Sequence, residues 1–137
     1  MMSPNLVLVD TSVWIEVLPP GKAGSHLQER VANLLAEDRV AITGMVLLEL
    51  LGGARNDGEY ERLKSMVSAL HHLPVTDLIW ERASRLGFEL RRKGFTIPFT
   101  DILIAAVAAG FGAELLHRDR HFDIVASHFA LRIESNQ

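Results

Sequence analysis

The feature that most constrains the fold is a short apolar run that ends at an acidic residue. Residues 6–9 read LVLV, and Asp10 follows them directly. Unbroken apolar runs of this length are typical of strands that are covered on both faces, as in a parallel sheet. Further short segments of strand character follow at 40–42, 72–75, 114–117 and 130–133.

Helical patterns separate these segments. They cover 23–37, 45–51, 60–70, 78–92, 102–110 and 122–127. The segment at 102–110 is apolar on nearly every side, so we expect that helix to be buried. Strands that alternate with helices predict a three-layer α/β sandwich around a parallel sheet.

Length and composition favour one globular domain. The chain has 137 residues, of which 48% are hydrophobic, so a single domain over residues 1–137 is expected. The formal charge of −3 excludes a general polycation, and any contact with nucleic acid must be local. The absence of cysteine excludes disulfides, thiolate zinc sites and a cysteine nucleophile.

No segment has the pattern of a signal peptide or a membrane span. The first five residues carry no basic side chain, and Asp10 interrupts the apolar run that follows. The longest apolar stretch, 102–113, is shorter than the ~20 residues that cross a bilayer. We therefore expect a soluble, cytoplasmic protein with no membrane partner.

Two acidic residues follow predicted strands. Asp10 ends the first strand, and Asp119 lies two residues after the fourth. Ligands of such sheets bind outside the carboxyl ends of the strands, so both carboxylates are expected to face one crevice. Capping of the next helix is an equally good interpretation of either residue considered singly.

Two further acids lie in helical segments. Glu49 has apolar neighbours on both sides, and it needs solvent, a basic partner or a cation because an uncompensated buried carboxylate is costly. A solvent-facing position is the simpler interpretation. Thr100 is predicted to cap the buried helix, which places Asp101 in its first turn, where the helix dipole favours a negative charge.

Four acids in one crevice repel one another unless protons or cations enter. Mg²⁺ prefers oxygen ligands and is usually held by one or two carboxylates together with substrate phosphates. The corresponding chemistry is phosphodiester cleavage by metal-activated water, which needs no protein nucleophile.

Four short motifs occur in a recognisable order over nearly the whole chain. They are VDTSVWI at 9–15, LELLGG at 48–53, TDILIAA at 100–106 and LHRDRHF at 116–122. In this order they resemble the PIN-domain ribonucleases, and in particular the VapC toxins of bacterial and archaeal toxin–antitoxin pairs.

This resemblance implies an α/β/α sandwich with a central parallel five-stranded sheet and an acidic pocket for Mg²⁺ or Mn²⁺. Asp10, Asp101 and Asp119 then correspond to metal-binding acids, and Glu49 completes the catalytic set. Thr11 or Ser12 lies near the first acid. The resemblance also implies an endoribonuclease, a VapB-like antitoxin that covers the pocket, and a homodimer.

The residues around the last acid depart from the family pattern. His117 stands where many members have Thr or Ser, and His121 where Asp or Asn is frequent. Their spacing occurs in helical zinc sites, but here they flank a turn, so hydrogen bonding or phosphate contact is favoured over zinc. Asp123 either adds a carboxylate or, as the simpler alternative, faces solvent.

Several basic and polar residues are candidates for contact with RNA phosphates. They are Arg118, Arg120, Arg55, Thr11 and Ser12, and for the arginines an ordinary solvated position is an equally good interpretation. Trp14 and Trp80 lie in apolar helical patterns, so they are expected to anchor a core or an interface.

Two other functions stay open at this point. A catalytically idle PIN-like module that binds a protein partner or RNA is kept open by His117 and His121. A phosphotransfer receiver also uses clustered acids, but it expects adjacent acidic residues near the N-terminus and a Lys near the last strand. The chain has neither.

Overall fold

Five short strands form one sheet in the part of the protein that the computed structural model describes, residues 5–18 and 25–136. They are β1 (Val7–Val9), β2 (Val40–Thr43), β3 (His71–Leu73), β4 (Glu114–His117) and β5 (Ile133–Ser135). The strand order is β3-β2-β1-β4-β5, and every pairing is parallel. The predicted sheet is therefore confirmed.

Helices connect successive strands over the described residues. They are α1 (Thr11–Val17), α2 (His26–Ala36), α3 (Gly44–Gly52), α4 (Asp57–Ser68), α5 (Asp77–Arg92), α6 (Phe99–Phe111) and α7 (Arg120–His128). The chain winds from β1 to β3 and then crosses to β4 and β5, and right-handed crossovers place the two sets of helices on opposite faces. Three layers result. None of the described helices is both long and apolar enough to cross a membrane.

The change of winding direction opens a crevice at the carboxyl ends of β1 and β4. The chain leaves these two adjacent strands towards opposite sides. Asp10 directly follows β1, and its N–H donates to the carbonyl oxygen of Leu116 at 2.9 Å. The fold thus places the loops after β1 and β4, which carry Asp10 and Asp119, at the same end of neighbouring strands.

The core covers both faces of the sheet. All residues of β1 and β2 are buried, and α6 contributes an unbroken buried run over 102–108, as the apolar pattern predicted. Gly87 of α5 lets α6 approach closely, because a Cβ at this position would lie 3.3 Å from Cδ1 of Ile102.

The two tryptophans have different environments. Trp14 is buried, and its Nε1–H donates to the carbonyl oxygen of Val9 at 3.1 Å. Trp14 is therefore a core anchor, which is one of the two predicted roles. Trp80 lies on α5 with 53% of its surface exposed, so it does not belong to the core.

Three local predictions are wrong. The fifth strand runs over Ile133–Ser135 and not over 130–133, because the N–H of Leu131 first closes a turn on the carbonyl oxygen of Phe129. β3 ends at Leu73, before Pro74, since proline has no N–H for the ladder. The N-cap of α6 is Pro98, so Thr100 is already helical and does not cap.

The structure also adds an element. α1 directly follows Asp10, where the sequence indicated only that a helix could be capped. The first residues of the helix predicted over 23–37 lie outside the described residues, and α2 begins at His26 with Ser25 as its N-cap.

Candidate active site

Asp10 lies at the carboxyl end of β1 and caps α1. It is 4% exposed, and its Oδ2 accepts hydrogen bonds from the backbone N–H (3.0 Å) and the hydroxyl (2.6 Å) of Ser12. The Oγ of Ser12 accepts in turn from the backbone N–H of Arg118 at 3.0 Å. Ser12 therefore connects the loops after β1 and β4, and the capping role of Asp10 is confirmed.

Asp119 caps α7 in the same way. Its Oδ1 accepts from the backbone N–H of His121 at 2.9 Å, and its own N–H donates to Nδ1 of His117 at 3.0 Å. His117 is the last residue of β4 and is fully buried. Asp119 is therefore fixed by a helix on one side and by a buried ring on the other.

The imidazole of His121 joins Asp101 to Asp119. Its Nδ1 lies 2.9 Å from Oδ2 of Asp101 and 3.2 Å from Oδ1 of Asp119. Each of the three residues offers one atom that could ligate a metal ion, and these three atoms lie within 4.8 Å of one another. We call these three residues the metal-site cluster. It combines two predicted acids with a histidine whose predicted hydrogen bonding is confirmed.

Glu49 reaches the crevice through Thr11. Its side chain is exposed on α3, and its Oε1 accepts a hydrogen bond from the hydroxyl of Thr11 at 2.8 Å. Thr11 directly follows Asp10. The solvent-facing interpretation of Glu49 is therefore right, and its hydrogen bond holds it beside Asp10.

Burial is the main cause of a raised pKa at Asp101. This pKa is about 6 against an ordinary value of 3.8; the hydrogen bond from His121 lowers it, and the negative charges of Asp119 and Asp10 raise it. Positive charge between these acids would relieve the repulsion.

Burial lowers the pKa of His117, while the charges of Asp123, Asp10 and Asp119 oppose the shift. A neutral ring that accepts at Nδ1 carries its proton on Nε2. This Nε2 lies 3.3 Å from Oδ1 of Asp123, in a geometry that is not a hydrogen bond. Asp123 also accepts from the hydroxyl of Ser135 at 3.3 Å, so its partly exposed carboxylate faces protein groups as well as solvent.

The acids fit a divalent cation. Within residues 5–18 and 25–136, the hydrogen bonds to Asp10 and Asp101 use only Oδ2, and those to Asp119 use only Oδ1. The second oxygen of each carboxylate is therefore not occupied by a described donor. A set of converging carboxylate oxygens is what hard divalent cations prefer.

Arginines near the crevice already have partners or are exposed. The guanidinium of Arg118 pairs with Glu16 at 2.7 Å, and that of Arg55 pairs with Glu59 at 3.0 Å. Arg120 is exposed at the start of α7. A phosphate that binds Arg118 must therefore compete with an ion pair.

For the two histidines near the last acid, the sequence pattern favours hydrogen bonding or phosphate contact. His117 ends an apolar strand, a position that indicates burial, and His121 lies in the first turn of a helix that Asp119 caps. In the described structure the two rings have different partners: Nδ1 of His117 accepts from the N–H of Asp119, and Nδ1 of His121 lies against Asp101. The hydrogen bonding predicted for them is confirmed.

Comparison with known proteins identifies the family. The model of the PIN domain matches residues 7–127. The chain belongs to the PIN domain family. It is 36% identical to VapC ribonuclease Mb1587 of Mycobacterium bovis over 125 residues, which cover 88% of this chain and 92% of that protein.

Solved structures show the same PIN fold. VapBC2 from Rickettsia felis, bound to a DNA fragment from its promoter, has a TM-score of 0.80 at 21% identity, covering 96% of this chain and 99% of that one. VapBC-5 from Mycobacterium tuberculosis, of the VapBC family of toxin–antitoxin systems, has a TM-score of 0.64 at 26% identity, covering 98% and 99%. The predicted resemblance to VapC-type PIN ribonucleases is confirmed.

Proposed function

We propose that this chain is a metal-dependent endoribonuclease of the VapC type, which acts as a single PIN domain over residues 1–137. The observation that carries the proposal is that ligand atoms of Asp101, Asp119 and His121 lie within 4.8 Å of one another, at the end of the sheet where Asp10 follows β1. Asp10, Asp101 and Asp119 each have a carboxylate oxygen that no described residue hydrogen-bonds. The similarity to a VapC ribonuclease supports RNA as the substrate.

In this proposal, Asp10, Asp101 and Asp119 hold Mg²⁺ or Mn²⁺. A bound divalent cation lowers the pKa of a water ligand and neutralises charge on the scissile phosphate. Asp10 is held in place by Ser12, and Asp119 by the N-terminus of α7. These contacts fix the carboxylates before substrate arrives, so little reorganisation is needed.

Glu49 acts on the attacking water. Its hydrogen bond from Thr11 fixes Oε1 and holds the exposed carboxylate next to Asp10. A carboxylate at this position can orient water and accept its proton. Thr11 and Ser12 therefore support the acids, and Arg118 and Arg120 flank the crevice where RNA phosphates would bind.

The direct test is cleavage of RNA by the purified full chain, free of any antitoxin. Total cellular RNA is incubated with the protein in Mg²⁺ or Mn²⁺, in chelator, and with the variants Asp101→Asn and Asp77→Asn. Asp77 matches Asp101 because it also lies in the first turn of a helix. We expect discrete products from wild type and Asp77→Asn only.

Asp10→Asn separates catalysis from folding. Asparagine can still accept the hydrogen bonds that cap α1, so the helix should form, whereas one metal-binding charge is lost. Loss of cleavage with an unchanged circular dichroism spectrum supports the proposal. Full cleavage by this variant would contradict the metal-binding role of Asp10. Intact RNA with folded wild type would favour an idle PIN module that works by binding.

Two grooves support the proposed protein partners. A groove of about 760 Å³ borders Glu49 and combines apolar residues with Arg55 and Arg62. A peptide segment of a VapB-like antitoxin lying there would cover the edge of the pocket. VapBC-5, a member of a toxin–antitoxin family, supports such a partner.

The second groove supports a homodimer. It lies between α5 and α6, measures about 490 Å³, and is lined by Trp80, Phe88 and Phe99 among others. Large exposed aromatic side chains are typical of protein interfaces. Light scattering should give twice the monomer mass for wild type and the monomer mass for Trp80→Asp.

The proposed substrate also implies a location. Because the substrate is RNA, the enzyme is proposed to act in the cytoplasm.

A further inference from the structure

His121 provides a nitrogen atom in a site whose other candidate ligands are carboxylate oxygens. Its Nδ1 lies 2.9 Å from Oδ2 of Asp101 and 3.2 Å from Oδ1 of Asp119. Both contacts are at hydrogen-bond distance, so this nitrogen faces the two carboxylates directly.

Two of the three distances between these atoms match the spacing of metal ligands. Ligands on adjacent corners of an octahedron with bonds of ~2.1 Å lie ~3.0 Å apart. The distances from Nδ1 to the two oxygens are close to that edge length. Binding of a divalent cation by Nδ1 and the two oxygens therefore requires only small movements of the three side chains.

The backbone holds the imidazole in this position. The N–H of His121 donates to Oδ1 of Asp119, so one short turn fixes both residues. By contrast, His128 at the other end of α7 directs its Nδ1 to the carbonyl oxygen of Ile124, at 3.0 Å. The ring of His121 faces the acids and not its own helix.

We infer that His121 is a metal ligand through Nδ1 and that it makes this site selective for Mn²⁺ over Mg²⁺. This inference rests on the proposed function, because the same acids hold the ion. Mg²⁺ takes oxygen ligands and keeps several waters. Mn²⁺ also suits carboxylates, but as a first-row transition metal it accepts an imidazole nitrogen more readily than Mg²⁺ does. An imidazole that binds the ion through Nδ1 is neutral and carries its one proton on Nε2.

The alternative role for His121 is to orient Asp101 by a hydrogen bond without touching the ion. Asparagine distinguishes the two roles, because its side-chain amide can still donate to Asp101 but supplies no imidazole nitrogen. His121→Asn is therefore the informative variant. His128→Asn is the matched control, since it removes an imidazole from the same helix outside the metal-site cluster.

The experiment is pulsed electron paramagnetic resonance of Mn²⁺ bound to the full chain, which detects the ¹⁴N nucleus of a coordinated imidazole. Wild type and His128→Asn should show the nitrogen modulation, and His121→Asn should lose it. Competition titrations should show Mn²⁺ affinity falling at least about tenfold in His121→Asn while Mg²⁺ affinity changes by less than about threefold.

Three results would overturn the inference. Mn²⁺ that binds wild type without nitrogen modulation leaves the proposed ribonuclease intact but removes His121 from the ligand set. Equal losses of Mn²⁺ and Mg²⁺ affinity in His121→Asn would show a positioning role. No binding of Mn²⁺ to folded wild type at millimolar concentration would remove the metal site itself, and the proposed function with it.

Discussion

The ring nitrogen Nδ1 of His117 accepts a hydrogen bond from the backbone N–H of Asp119 at 3.0 Å. His117 is fully buried at the end of β4, so this contact fixes the backbone of a proposed metal ligand from inside the core. Groups that orient metal ligands without touching the ion typically contribute a factor of 10–100 in metal affinity. His117 is therefore a positioning residue in this site.

A pair of substitutions of similar shape tests this role. In His117→Asn, Oδ1 replaces Nδ1 as the acceptor, whereas His117→Leu leaves the N–H of Asp119 without one. We expect His117→Leu to lose about 1–3 kcal/mol of unfolding free energy, because a buried donor is unsatisfied, and at least about tenfold in Mn²⁺ affinity.

His117→Asn should recover much of that metal affinity. Isothermal titration with Mn²⁺ measures the affinity, and amide hydrogen exchange at Asp119 reports the hydrogen bond directly. Equal affinities in the Leu and Asn variants, with both proteins folded, would contradict the positioning role.

The raised pKa of Asp101 predicts a pH-dependent stability in the absence of metal. Between 3.8 and about 6 the folded protein retains a proton on Asp101 that the unfolded chain releases. The stabilising contribution of this group is therefore fully present below pH 3.8, and it is lost as pH rises through about 6.

Asp101→Asn removes this effect, because an amide does not ionise. Relative to wild type, the variant should gain about 2 kcal/mol of unfolding free energy between pH 4.5 and 7.5. Urea denaturation in chelator at the two pH values measures the difference. The charges of Asp10, Asp119 and His121 are present in both proteins, so a gain of the same size in Asp77→Asn would exclude Asp101 as its source.

Much of the fold could be predicted because the apolar pattern of the sequence agrees with the burial of the same residues in the structure. β1 and α6 are apolar throughout and are buried throughout. β5 could not be placed correctly, because its residues Glu134 and Ser135 are polar and its position depends on pairing with β4. Glu134 is further held by Arg30, whose Nε donates to Oε2 and whose Nη2 donates to Oε1, a contact between residues 104 positions apart.

The acids were easier to predict than the contacts between them. Asp10 and Asp119 follow strands, so topology alone brings them to one end of the sheet. The contact of His121 with Asp101 depends on how α7 faces the start of α6, and a single sequence carries no signal for that packing. Likewise, the hydrogen bond from Thr11 to Glu49 joins residues on two different helices.

Trp14 supports the site from the core. Its Nε1–H donates to the carbonyl oxygen of Val9, the residue before Asp10. Trp14→Phe should lower the unfolding free energy by about 2 kcal/mol, because it leaves a buried carbonyl without its donor and opens a small cavity. Trp80→Phe, at a position exposed in the single chain, should change it by less than about 0.5 kcal/mol when the protein is dilute enough to be monomeric. Urea denaturation compares the two, and similar losses would contradict the assigned burial.

Arg118 offers a test of how RNA is held. Its guanidinium pairs with Glu16, and the Oγ of Ser12 accepts a hydrogen bond from its backbone N–H, so the side chain is held at the crevice. If it neutralises one RNA phosphate, Arg118→Ala should reduce the slope of log affinity against log salt concentration by about 0.7. The measurement is a series of filter-binding titrations of the cleavage-deficient Asp10→Asn protein.

Arg39→Ala is the control for the loss of one positive charge. Arg39 lies just before β2, at the amino end of the sheet, where it pairs with Glu37 and donates to the carbonyl oxygen of Asn5. The crevice lies at the opposite, carboxyl end, beyond the reach of a screened surface charge. The salt slope should therefore stay unchanged in Arg39→Ala. The three proteins compared are Asp10→Asn alone, Asp10→Asn with Arg118→Ala, and Asp10→Asn with Arg39→Ala. If the salt slope is equal in all three, Arg118 stays paired with Glu16 when RNA binds.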